Sequence, residues 1–213
     1  MALEATHLRF ALDVRDDYHV ADLSRYLSGT IYPDSRYVSG VERNLTHPEI
    51  ISDIPLPTDD DFRKGWEVHL IYDLLQGEVF ERMTGVRHVA QGDEEWRQRS
   101  AFKIVQNEID VDFLNVTEVV SKLDVIPTPF NEPVDTVRRY FECVVGFMRE
   151  GTGEVTIIED IPVFKASGVS EKHHGLLDDV RGRCERFRND PIMMEKISGI
   201  YDETMRMYRE RYR

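Results

Sequence analysis

The stretch Thr58–Gly85, TDDDFRKGWEVHLIYDLLQGEVFERMTG, decides how the rest of the chain is read. Thr58 reads as a helix N-cap, and Asp59, Asp60 and Asp61 suit the positive end of a helix dipole. Phe62, Trp66, His69, Asp73 and Phe80 then follow one side of a helix that ends near Gly85. His69 and Asp73 interrupt this apolar stripe, and their i,i+4 spacing points both to one side. An imidazole beside an ionised carboxylate on a buried face needs compensation, because an unpaired buried carboxylate is costly or takes up a proton. A divalent cation satisfies both groups at once.

Working outward, residues 2–14 read as a helix, with Leu3, His7, Phe10 and Val14 on one stripe. His7 therefore falls on an apolar face. A second short helix covers about 20–29 and ends near Gly29. Thr30–Pro57 reads as a long irregular segment with Pro33, Pro48 and Pro55, and it carries Asp34 and His47. Irregular segments of that length are uncommon unless functional. A long helix is expected over 93–123, with Trp96, Phe102, Val105, Ile109, Phe113 and Val116 inward. Helices follow at 133–149, 170–188 and 191–211, with Pro191 in a first turn. Residues 154–164, rich in Val, Ile and Thr, read as extended. Met194, Ile197, Tyr201, Met205 and Tyr208 form a last stripe that could serve a homodimer contact. No repeat or linker divides the chain. The expectation is one all-α, single-domain multi-helix bundle over 1–213, with a metal-binding part at 1–85 and C-terminal helices at 93–211.

The chain has 213 residues, 41% hydrophobic and 31% charged, with a net charge of −13. That acidity disfavours duplex nucleic acid and anionic membranes, which need a cationic face. It leaves room for a small phosphorylated substrate, because a bound cation inverts the local charge. Cys143 and Cys184 form no CxxC pair, so neither a thiolate zinc site nor a disulfide framework is implied. No basic, apolar leader and no membrane span is read, so the expected location is cytoplasmic.

Five side chains form the candidate metal set: His7, Asp34, His47, His69 and Asp73. Each alone has an ordinary reading: a core histidine, a turn aspartate after proline, a loop histidine, a hydrogen-bonded i,i+4 pair. Together they supply imidazole nitrogen and carboxylate oxygen from several elements, as borderline and hard cations require. Zinc is the first choice, with iron, manganese and nickel as alternatives. Arg36, Arg43 and Lys64 are candidate substrate-binding cations for phosphate oxygens. Glu108 with Asp112, and His173 and His174 with Asp178, could join the site or be acidic surface. His19 and His88 read as surface. No glycine-rich phosphate loop, GxSxG or reactive-cysteine context is present, so side-chain nucleophilic catalysis is unsupported.

The segments Thr6-His7, Leu27-Ser28-Gly29-Thr30-Ile31-Tyr32-Pro33-Asp34, Thr46-His47 and Gly65-Trp66-Glu67-Val68-His69-Leu70-Ile71-Tyr72-Asp73, in that order, resemble the zinc-dependent phospholipase C superfamily. That superfamily also contains single-strand-specific nucleases. The resemblance covers about residues 5–80. It implies an all-helical fold in which Asp34, His47, His69 and Asp73 bind one metal. It further implies that His7 and Asp73 help hold a second, and that Asp34 positions or deprotonates the attacking water. Leu74–Met83 lacks the further histidine of the secreted members, so one cation, or at most two, is expected. The expected activity is metal-dependent hydrolysis of a phosphate ester, with Asp34 and Asp73 as catalytic carboxylates. The alternatives are a helical binding protein with a structural metal site and an HD-type nucleotide phosphohydrolase. The latter requires an adjacent His-Asp pair, which this chain lacks.

Overall fold

The computed structural model describes residues 3–86, 94–150 and 174–213, and among them all regular structure is helical. The extended reading of 154–164, and the readings of His88 and His173, lie outside the described residues. The helices are α1 (Glu4–Val14), α2 (Leu23–Ile31), α3 (Arg36–Ser39), α4 (Arg43–Thr46), α5 (Asp61–Thr84), α6 (Glu94–Val111), α7 (Val116–Lys122), α8 (Val134–Glu150), α9 (His174–Arg188) and α10 (Pro191–Tyr212). No helix among the described residues is long and apolar enough to cross a membrane.

The centre of the molecule is the crossing of α2 and α5. It is tight because both helices present glycine there. A Cβ on Gly29 would lie 1.9 Å from the Phe62 carbonyl oxygen, and one on Gly65 would lie 1.9 Å from that of Tyr26. No side chain larger than hydrogen fits at either position. The acidic start of α5 holds the same junction. Asp60 caps Phe62 N at 2.8 Å and receives the Arg25 guanidinium at 2.7 Å. Asp61 accepts from the amides of Ala21 and Asp22. The N-cap is therefore Asp60, two residues later than expected, because its carboxylate also meets Arg25 from α2.

The apolar stripe of α1 is fully buried at Leu8, Phe10 and Val14. Its free amides are met from α6, where Asn107 Oδ1 accepts from Ala5 N at 2.8 Å. Arg9 forms a 2.6 Å ion pair with Asp110 of the same helix. Trp66, Phe62 and Tyr32 form an aromatic cluster beneath the α2–α5 crossing. The Tyr32 hydroxyl donates to the buried Glu132.

Three sequence expectations are corrected. The segment 30–57 is built of single helical turns: Tyr32–Ser35, α3, α4 and Ile51–Asp53. The expected helix over 93–123 is two helices. α6 stops at Val111, and Asn115 caps α7 by accepting from Glu118 N. Phe113 falls in the break and is 64% exposed, with Arg9 stacked on its ring. The stripe of α10 is spent within the chain. Ile197, Tyr201, Met205 and Tyr208 are buried, and α10 packs on α5, so this face is not open to a second copy.

Candidate metal centre

Four backbone segments meet beside the α2–α5 crossing, and each brings one part of the cluster. α1 presents His7, the 3-10 turn Tyr32–Ser35 presents Asp34, the end of α4 presents His47, and α5 presents His69 and Asp73. The glycine contact has a direct consequence here. It brings α2 close enough for the Thr30 carbonyl to sit 2.8 Å from His69 Nδ1. α4 is anchored in the same way, because Trp66 Nε1 donates to the Thr46 carbonyl at 2.7 Å. Arg63, one turn earlier on α5, donates to the carbonyls of Ile54 and Leu56 and ties the rest of the segment down.

The proton positions follow from these partners. A carbonyl only accepts, so His69 carries its proton on Nδ1 and leaves Nε2 bare. The Thr46 hydroxyl lies 3.4 Å from the Arg43 carbonyl and 2.9 Å from His47 Nδ1. It can donate to either, so the proton of His47 follows what its Nε2 meets. His47 Nε2 faces the bare His69 Nε2 at 3.2 Å, so the two nitrogens share either the His47 proton or a cation seated between them.

The spacing fits a small cation. Ligand atoms bound at 2.0–2.2 Å on tetrahedral corners stand roughly 3.3–3.6 Å apart. The observed edges are 3.2 Å between the two Nε2 atoms and 3.7 Å from each to Asp73 Oδ2. Asp34 Oδ1 lies 3.9 Å from His47 Nε2 and is buried without a hydrogen-bond partner among the described residues. His7 stacks on His69 with ring centroids 3.8 Å apart, and its Nε2 is 3.4 Å from Asp73 Oδ1. The ligand atoms of His7, Asp34 and His69, all buried, lie within 4.8 Å of one another, as do those of His47, His69 and Asp73. His69 has only one bare nitrogen, so it serves one cation. A second cation would be left with His7 and the two carboxylates.

Electrostatics favour the ligating forms of the imidazoles. Burial, with His7 alongside, pushes His69 down to about 4. Burial and His69 push His47 down to about 2, and burial lowers His7 as well. All three rings are neutral at pH 7, as metal binding requires. Burial, helped by Asp73, raises Asp34 above the usual carboxylate range. Burial opposes the charge on Asp73 too, but the positive charge of the N-terminal amine and a hydrogen bond with His7 hold its carboxyl well below that range.

The cluster lies at the base of a cleft of about 520 Å³, lined by His47 and Asp73 and at its rim by Arg43, Glu49 and Glu81. Of the expected substrate-binding cations, Arg43 lines this cleft. Arg36 stacks over Tyr37 at 4.0 Å and sits two residues from Asp34. Lys64 is engaged elsewhere: its Nζ is 2.6 Å from Asp61 Oδ1 and 3.5 Å from the His19 carbonyl. Glu108 pairs with Arg188 at 2.6 Å, Asp112 is exposed, and Asp178 pairs with Arg181 at 2.7 Å. None of these carboxylates is brought into the cluster. His19 is exposed, as expected.

Sequence reasoning passed over two nearby groups. Glu4, one turn before His7 on α1, is buried and receives the Tyr140 hydroxyl at 3.1 Å. Burial, with Asp34 nearby, pushes it up to about 7. Its spacing from His7 was the available signal. Arg99 of α6 is also buried in the cleft wall, but among Arg97, Gln98 and Glu95 it reads as one more solvated helix residue. No family model, curated protein or solved structure matches this chain.

Proposed function

We propose that this protein is a metal-dependent hydrolase of phosphate esters, built as the resemblance to the zinc-dependent phospholipase C superfamily implies. The observation that carries the reading is the approach of His47 Nε2, His69 Nε2 and Asp73 Oδ2 at tetrahedral-edge spacing beneath an open cleft. His47, His69 and Asp73 would hold the cation, with Asp34 as a fourth ligand. Zinc suits a nitrogen and oxygen donor set of this size, with iron, manganese and nickel as alternatives. When bound, such a cation polarises a phosphoryl oxygen and acidifies water.

The chain's own residues supply the rest. Thr30 and Thr46 fix the two imidazoles by their Nδ1 sides, so both present Nε2 inward. Asp34, with Oδ1 buried beside His47 as the fourth ligand, would keep its other carboxylate oxygen to orient the attacking water. Arg43 at the rim meets the incoming anion.

A second reading has one observation in its favour. His7, Asp34 and His69 form a wholly buried triad, and a cation seated there would be closed off by protein and structural. One experiment separates the two. The purified protein is analysed for bound metal, then assayed with p-nitrophenyl phosphate and bis(p-nitrophenyl) phosphate before and after chelation. The hydrolase reading expects bound metal and an activity that chelation removes and zinc restores. Bound metal with no turnover of either ester would leave the structural reading. A His69→Ala variant with full metal content and full activity would refute both.

A further inference from the structure

Arg99 is the charged side chain in the cleft whose placement the metal cluster leaves unexplained. It belongs to α6, is only 6% exposed, and lines the same cleft as His47 and Asp73. Its guanidinium lies against α5 where Gly77 carries no side chain: Nη2 is 3.8 Å from where a Cβ would stand. Below it is the ring of Phe80, 4.8 Å from the guanidinium carbon. Its Nε is buried without a hydrogen-bond partner, and it forms no ion pair among the described residues. A buried guanidinium with unused donors is costly unless something accepts from it. Behind it, one turn further along α6, Lys103 feels the same Asp73 carboxylate without itself lining the cleft. Two like charges at i,i+4 destabilise a helix unless an anion is shared between them.

We infer that Arg99, backed by Lys103, forms the anion-binding wall of the cleft, and that the group it takes is the dianionic phosphate of a small phosphomonoester. The inference rests on the hydrolase reading and narrows its substrate. Charge decides between ester classes. Asp34 and Asp73 are neutralised by one divalent cation, so the wall's two positive charges match a terminal phosphate of charge −2. A phosphodiester brings only −1. Asp73 and Glu81 on α5, together with Asp34, face this wall. Glu78, also on the cleft, is engaged by Arg211 at 2.6 Å. Glu49 and Glu81 make the rim acidic, which repels a long polyanion and admits a compact one. In the reaction, the water oxygen bonds to phosphorus as the ester P–O bond breaks. One water proton ends on the leaving alcohol, and inorganic phosphate remains between the cation and the wall.

The test uses the full chain, zinc-loaded and metal-free, with Arg99→Gln, Arg99→Lys and Lys103→Gln variants. Inorganic phosphate binding is measured by calorimetry, and turnover is compared on p-nitrophenyl phosphate and bis(p-nitrophenyl) phosphate. Metal content and thermal unfolding of each variant are measured alongside. The expected result is that Arg99→Gln keeps its zinc and fold, weakens phosphate binding roughly 10- to 100-fold, and lowers monoester turnover more than diester turnover. Arg99→Lys should recover part of the phosphate affinity, which a purely structural role would not produce. Unchanged phosphate binding in Arg99→Gln, equal losses on both esters, or a wild-type preference for the diester would each overturn the inference. If no ester is turned over but Arg99-dependent phosphate binding persists, the hydrolase reading fails and the anion wall stands. If Arg99→Gln and Arg99→Lys both fail to fold, Lys103→Gln decides by the same phosphate titration.

Discussion

The two walls of the cleft are built on opposite principles. On the α2–α5 side, backbone touches backbone, and glycine at 29 and 65 makes that contact sterically obligatory. The metal-type side chains are set there by fixed carbonyls and hydroxyls. On the α6 side, the long cationic side chain of Arg99 reaches in, seated against Gly77 and over the Phe80 ring. The comparison teaches that geometry here comes from the glycine crossing, and that the α6 wall adds charge to it.

Breaking the first wall should have the largest effect. Gly65→Ala puts a methyl group 1.9 Å from the Tyr26 carbonyl oxygen. The helices must separate, with an expected loss of about 3 kcal/mol or more of stability and displacement of Thr30 from His69. Thermal and urea unfolding measure the loss, and a wild-type melting curve would show that the crossing is looser than described. His69→Ala spares that packing but removes the shared ligand. Zinc affinity is expected to fall a hundredfold or more, with roughly 3 kcal/mol of binding lost. Competition with a chelating dye measures it.

Glu4 sharpens the comparison through pH. Its folded value of about 7 lies above its ordinary 4.5. The stability it contributes is therefore fully present below 4.5 and is lost as pH rises through 7. Glu4→Gln imitates the neutral acid and still accepts from Tyr140. The variant should gain on the wild type by roughly 2–3 kcal/mol between pH 4.5 and pH 8 in metal-free protein. A parallel pair of stability–pH curves would contradict this. The smallest effect belongs to Lys64→Ala, which breaks a partly exposed i,i+3 pair with Asp61. Less than about 1 kcal/mol of stability and no zinc affinity should be lost. A clear loss of zinc would restore Lys64 to the site.

Much of the first wall was legible in the sequence, and little of the second. His7, Asp34, His47, His69 and Asp73 stood out because histidine and aspartate on apolar stripes conflict with burial, and the structure gathers all five. The start of α10 at Pro191 and the stop of α5 at Gly85 were readable from backbone chemistry. Boundaries set by competition between neighbouring caps were not. Asp60 displaced Thr58 because of Arg25, and Asn115 opened a new helix inside an apolar pattern that ran on past it. Arg99 was hidden because a cation in a charged helix looks solvated until the fold shows which residues it faces. Phe113 misled for the opposite reason: it lies in an apolar register but outside any helix.

The central claim is that one cation is held by His47, His69 and Asp73. Zinc-edge X-ray absorption of the zinc-loaded protein tests it most directly. The account predicts a first shell of nitrogen and oxygen only, at about 2.0–2.1 Å, with the outer scattering of two imidazole rings, and loss of one ring in His69→Ala. A shell of water oxygens without imidazole scattering, or zinc that does not bind at all, would contradict it.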